Sequence, residues 1–155
     1  MKRLLKMVLL LCSMFVWACD DDEQPVEPYL NVTANNLAGT WRLATWHGEP
    51  LAEGSFAYFE FVRKDQTFKL YQNLDSFRPV MKSGRFSITT DEKLGASVLS
   101  GDYDYSLNAT WAHRYVVRDL TQTTMTWIVT TDESDVTAYE RCDGIPEEIL
   151  DACGE

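Results

Sequence analysis

The sequence predicts an all-β domain in which about eight short antiparallel strands follow one another and close into an up-and-down barrel, with a short helix at the C-terminal end. Three observations lead there. Between residues 37 and 141 apolar and polar side chains alternate with period two. Turn-forming clusters interrupt that alternation every eight to twelve residues, and no part of the stretch offers a long helical period. The whole chain, 155 residues, is long enough for one core and short for two. With 45% hydrophobic residues and only 8 Gly and 5 Pro, neither a disordered nor a fibrous chain fits. A net charge of -10 argues against a nucleic-acid surface, because neutralising phosphates takes clustered Lys and Arg that are missing here.

Strands are expected at 39–47, 55–63, 67–73, 80–89, 96–101, 112–118, 123–131 and 136–141. The second and third meet at the polar turn Lys64-Asp65-Gln66, and 119–122 and 132–135 read as hairpin links. Such a meander can stack as a sandwich or close on itself. Closure removes both exposed edges and is the simpler solution. Period two then assigns faces: Trp41, Leu43, Thr45, Phe59, Phe61, Phe68, Leu70, Phe86, Ile88, Tyr115, Val117, Met125, Trp127 and Tyr139 are expected inside. Most are large. An eight-stranded barrel is just wide enough for its own side chains or one small ligand, so this bulk favours a filled interior. Beyond the strands, Pro146 followed by Glu147 and Glu148 marks the start of a short helix.

Ahead of the barrel the chain has a different character. Lys2, Arg3 and Lys6 precede an apolar run from Met7 to Trp17 that is short for a bilayer-spanning helix, so residues 1–18 read as a signal peptide. Val16-Trp17-Ala18-Cys19 resembles the lipobox of bacterial lipoproteins, with Trp17 where a small residue is usual. That resemblance implies cleavage after Ala18 and a diacylglycerol on Cys19, so that the lipid bilayer becomes a partner. A plain secretory signal or an uncleaved anchor is the alternative. Losing residues 1–18 removes three bases and no acid, leaving 24 acids against 11 bases, or -13. Residues 19–36, with Asp20, Asp21, Asp22, Glu23, Glu27, Pro25 and Pro28, read as an acidic flexible tether. The acidic run behind Cys19 resembles the surface-export signal of Bacteroidetes lipoproteins, which implies a surface-exposed outer-membrane lipoprotein. The alternatives are a periplasm-facing protein or, by likeness to enteric bacteria, retention at the inner membrane by Asp20.

Given that reading, Cys12 leaves with the signal and Cys19 is blocked. Cys142 and Cys153 remain, in an oxidising compartment, and are expected to form a disulfide closing the 142–155 tail. Such a bridge would contribute roughly 3 kcal/mol in the chain-entropy account.

Within the expected barrel, Leu37-Ala38-Gly39-Thr40-Trp41 resembles the Gly-x-Trp signature of lipocalins. There the Trp closes the barrel floor, and an Arg near the end of the last strand packs over it. Arg141 stands in that place. Phe59-Glu60-Phe61, Gln66-Thr67-Phe68, Gly84-Arg85-Phe86 and Asp119-Leu120-Thr121 before Met125-Thr126-Trp127 are similar to the lipocalin-like lipoproteins of Bacteroidetes. The resemblance spans residues 37–141 and implies an outlying lipocalin relative that binds rather than catalyses; the family's usual Thr-Asp-Tyr motif is missing. Gly39, Trp41 and Arg141 are the expected closure residues.

Two functional readings follow. In one, a small apolar or amphipathic molecule enters the barrel mouth among Trp46, Phe59, Tyr71, Tyr115, Trp127 and Tyr139. In the other the barrel is packed, and Tyr103, Tyr105 and Trp111, in the long link 101–113, offer an aromatic platform to a glycan or protein. His47 with Glu49, and Asp102 with Asp104, are the nearest approach to an acid/base pair or metal site, and neither spacing is diagnostic. No phosphate loop, nucleophile elbow or His-x-x-x-His pair occurs. No catalytic residue, metal or cofactor is therefore expected.

Overall fold

Alternating side chains bury one face either by stacking two sheets or by closing one, and this chain closes its sheet. A computed structural model describes residues 27–76, 78–105, 107 and 109–154. The elements are α1 (Ala34–Leu37), β1 (Gly39–Trp46), β2 (Glu49–Pro50), β3 (Ala57–Val62), β4 (Thr67–Gln72), β5 (Val80–Asp91), β6 (Ala96–Tyr103), β7 (Tyr115–Arg118), β8 (Thr124–Val129), β9 (Asp132–Cys142) and α2 (Glu147–Cys153). From β3 onward each strand pairs antiparallel with the next, β3 pairs with β1, and β9 returns to β1 from Thr40↔Cys142 to Trp46↔Thr137. The result is an eight-stranded closed barrel of β1 and β3 to β9. The short β2 folds back on β1 through the two-residue turn His47-Gly48. Both turn residues have positive φ, 54° and 79°, the backbone that such a tight hairpin demands.

Nearly all the side chains expected inside are there. Trp41, Phe61, Phe68, Phe86, Val117 and Met125 are buried in one cluster with Leu37, Leu99 and Leu120, and Ile88 and Tyr115 pack against it half-buried. Thr45 is the exception. The β1–β9 register steps from Leu43↔Tyr139 to Thr45↔Ala138, so Ala44 is an inserted residue, and beyond it the parity reverses. Thr45 turns out and Trp46 turns in. Two strand ends also move. Residues 132–135, expected as a link, begin β9, and the turn is Thr130-Thr131 instead. The strand expected at 112–118 starts at Tyr115, while 109–111 folds back on β6 by Tyr103 N–H to Ala109 O and Trp111 N–H to Gly101 O.

Two further expectations are corrected. The tether was expected to run to Asn36, yet it docks on the barrel from Leu30: its N–H donates to Leu120 O at 2.7 Å, and Leu30, Val32 and Ala34 pack on the core. Apolar side chains every second residue give this segment something to bury. Helix α2 forms as expected, but Cys142 and Cys153 are not joined by the expected disulfide. The helix buries Ile149 and lies against β4 and β5. Those strands are separated from β9, which ends in Cys142, by β1 and β3, so the helix packs on a different part of the sheet from the strand it was expected to be bridged to. The signal peptide and Cys19 fall outside the described residues.

Candidate functional site

One end of the barrel is sealed. Trp41 is fully buried, and its indole N–H donates to Leu37 O at 2.8 Å. Arg141 lies over that ring, its guanidinium carbon 4.1 Å from the centroid, well inside cation–π range. The same guanidinium donates to Gln122 O at 2.7 Å, Ala38 O at 2.6 Å and Asn36 O at 2.8 Å. It therefore ties the docked N-terminal segment to the turn after β7. Gly39 makes room: at φ 116°, an added Cβ would come within 2.5 Å of an Arg141 nitrogen. Burial draws the Arg141 pKa below its usual value, but three carbonyl acceptors and a π face suit a cation. The floor residues expected from the sequence, Gly39, Trp41 and Arg141, meet here.

The opposite end is open. Above the packed lower half lies a cavity of about 370 Å³, within the size range of small-molecule sites. Its walls are aromatic: Phe59, Trp111, Tyr115, Trp127 and Tyr139 contact one another, with ring centroids 4.4 Å apart for Trp127 and Tyr139 and 5.1 Å for Tyr115 and Trp127. Leu43, Ala57 and Leu70 complete the apolar lining. Polar tips enter this shell at few points. The Tyr139 hydroxyl is pushed far up in pKa by burial, with Thr137 beside it pulling the other way. Tyr115 is pushed up to about 12, again by burial. Both are neutral hydroxyls near neutral pH. Thr137 Oγ1 and Trp111 Nε1 are buried with no hydrogen-bond partner.

The rim carries the charge. Trp46 Nε1 donates to Asp135 Oδ1 at 2.9 Å, and His47 Nε2 lies 3.2 Å from the same oxygen. On the other side Asp75 accepts from Gln72 and, at 2.7 Å, from Lys82, whose hydrogen bond holds its pKa below the usual value. Lys82 Nζ also stands 5.7 Å from the ring centroid of Tyr103.

Of the ligand-site residues expected from the sequence, Trp46, Phe59, Tyr115, Trp127 and Tyr139 are brought together around this cavity. Tyr71 is not. It pairs with Tyr58 and Met81 on the outer face, one residue out of phase with Leu70, and is buried there to 1% exposure on a strand that α2 covers. The aromatic platform expected on the surface also dissolves. Trp111 is 7% exposed and packs inside on Phe59, Phe68 and Trp127, in the space left by the missing side chain of Gly101. Tyr103 turns in beside Phe68, and only Tyr105, 97% exposed, faces solvent. A filled barrel is the expectation from the bulk of the inward residues, but the upper half is hollow, with the small side chains of Ala57 and Thr137 among its walls.

Neither carboxylate constellation assembles. His47 meets Asp135 rather than Glu49, while Asp102 and Asp104 accept from Thr110 and Ser83 separately at the exposed surface. Among the described residues no three His, Cys, Asp or Glu side chains are placed to hold a metal. Sequence reasoning missed Gln72, Asp135 and Thr137. Period two could have found the last two, since 135, 137 and 139 share a face once β9 is started at its true beginning. Compared with protein-family models, curated proteins and solved structures, the chain has no significant match in any of the three.

Proposed function

We propose that this chain is a non-catalytic, lipid-anchored binding protein of lipocalin-like type whose barrel takes a small, largely apolar molecule. The observation that carries the reading is the cavity of about 370 Å³, walled by aromatic rings, above a floor sealed by Trp41 and Arg141. A concave apolar site with a few convergent polar groups is what small-ligand binding needs. The Gly39, Trp41 and Arg141 arrangement also supports the lipocalin resemblance, whose floor is closed by the same residue types.

Binding is read from tryptophan emission, because Trp46, Trp111 and Trp127 all border the cavity. Fatty acids, retinoids, haem and bile acids form the first panel. A member of it is expected to shift the emission, and Ala57→Phe, which places a ring in the cavity, is expected to abolish the shift. Silence across the panel from a correctly folded protein would count against the reading.

The anchor belongs to the same proposal and rests on the lipobox. Globomycin should block processing and Cys19→Ala should release the protein from membranes. Continued membrane attachment of that variant would refute the anchor while leaving the cavity reading intact.

A further inference from the structure

We infer that the cavity's ligand is a protonated organic amine with a flat apolar body, bound with its ammonium group at Asp135 and its body among the aromatic rings; this rests on the small-ligand reading above. Three observations point to a cation. First, none of the lining residues is Lys or Arg, while two, Asp75 and Asp135, are carboxylates. A fatty or bile acid would bring its own carboxylate toward these two, with only the Asp75-paired Lys82 to offset them, whereas an ammonium group finds a counter-ion there. Second, the wall beneath the rim is built of π faces, Trp127, Trp111, Tyr115 and Tyr139 among them, whose negative quadrupoles attract a cation and whose flat sides suit a planar body. Third, the protein already holds an ammonium group at this rim. Lys82 Nζ stands 2.7 Å from Asp75 and 5.7 Å from the Tyr103 ring, an anion and an aromatic ring around one amine.

Asp75 is thereby neutralised. Asp135 has no Lys or Arg on it among the described residues; its contacts are Trp46 Nε1 and His47 Nε2. A carboxylate has about four acceptor positions, so it can take a further N–H donor from the cavity side. The acidic residues Asp132 and Glu133 beside the mouth, with the chain's overall negative charge, would draw a cation toward it.

The test is a matched series on the full chain, followed by calorimetry: 4-phenylbutylamine, 4-phenylbutanol and 4-phenylbutyrate, which differ only in the charge of the head group. The amine should bind at least about tenfold tighter than the acid, with the alcohol between. Asp135→Asn should bring the amine down to the affinity of the alcohol, with an unchanged circular dichroism spectrum and urea midpoint showing that the barrel is intact. Alcohol or acid binding as tightly as the amine would overturn the inference and leave the small-ligand reading standing. So would a full amine preference in Asp135→Asn. If none of the three binds while a member of the fatty acid, retinoid, haem and bile acid panel does, the inference fails alone. If nothing in either set binds, both readings fall together.

Discussion

At Arg141 one side chain answers three backbone carbonyls while its plane covers Trp41. A lysine could not replace it, because a single ammonium cannot match a planar fork with five donors. Trp41→Ala is expected to cost about 3 to 5 kcal/mol through lost packing. Arg141→Ala should cost less, about 2 to 3 kcal/mol, since water can reach some of the carbonyls it abandons. Gly39→Ala forces a left-handed φ on a residue with a side chain and drives that side chain against Arg141, so about 1 to 3 kcal/mol is expected. Urea unfolding of the three variants should rank them with Trp41→Ala last.

Two other residues set the alkaline limit. Burial raises the folded-state pKa of Tyr115 to about 12, and that of Tyr139 further still. Unfolded tyrosines release their protons near pH 10. Below that pH both states hold the proton and the stability is fully present. Above it only the unfolded chain ionises, so stability falls as pH climbs from about 10 through the folded-state values, by up to about 1.4 kcal/mol per unit for each residue. Tyr139→Phe should flatten that decline in denaturation curves recorded from pH 9 to 12; an unchanged slope would mean that the phenol is not protected by burial.

Among the elements, the eight barrel strands were legible because each keeps period two for at least four residues, and the helix α2 because Pro146 and two glutamates announce it, whereas the two-residue β2 is too short to show a period. What stayed hidden was any feature carried by a single residue or by a distant partner. Ala44 looks like any other small residue in a strand, and only pairing with β9 reveals it as the insertion that turns Trp46 inward. The inward turn of Trp111 depends on Gly101, ten positions away, having no side chain. Tyr71 is apolar enough for either face, and nothing local says that a helix from the far end of the chain will cover it. The cavity was therefore half readable: five of its aromatic walls follow from parity and position, while the rim of Gln72, Asp75 and Asp135 comes from strand ends, where sequence patterns are weakest. Deleting Ala44 should straighten the ladder and leave Trp46 inward, whereas Trp46→Ala removes that wall of the cavity. In Trp46→Ala, ligand-induced changes in fluorescence should shrink and affinity should drop, with the barrel still folded by circular dichroism. Undiminished affinity would show that Trp46 takes no part in binding.

For the molecule as a whole, the pairing of β1 with β9 joins residues about a hundred positions apart and leaves no β1 or β9 edge open along that seam. Contacts of such long range cannot form until most of the meander is in place, so folding in milliseconds to seconds is expected, with the floor and the seam completed together. The docked N-terminal segment carries one more meaning. Glu27 accepts a hydrogen bond from Thr123, and Leu30 pairs with Leu120, so the chain ahead of the barrel departs from its sealed end. The strands run from that end to the mouth, a distance of about 20 Å for six residues. A protein held by residues preceding 27 would thus be gripped by its base, like a cup fixed to a table, with the opening on the far side of the barrel from Glu27. A solute arriving from the surroundings would then meet the cavity before it met whatever the chain was fixed to.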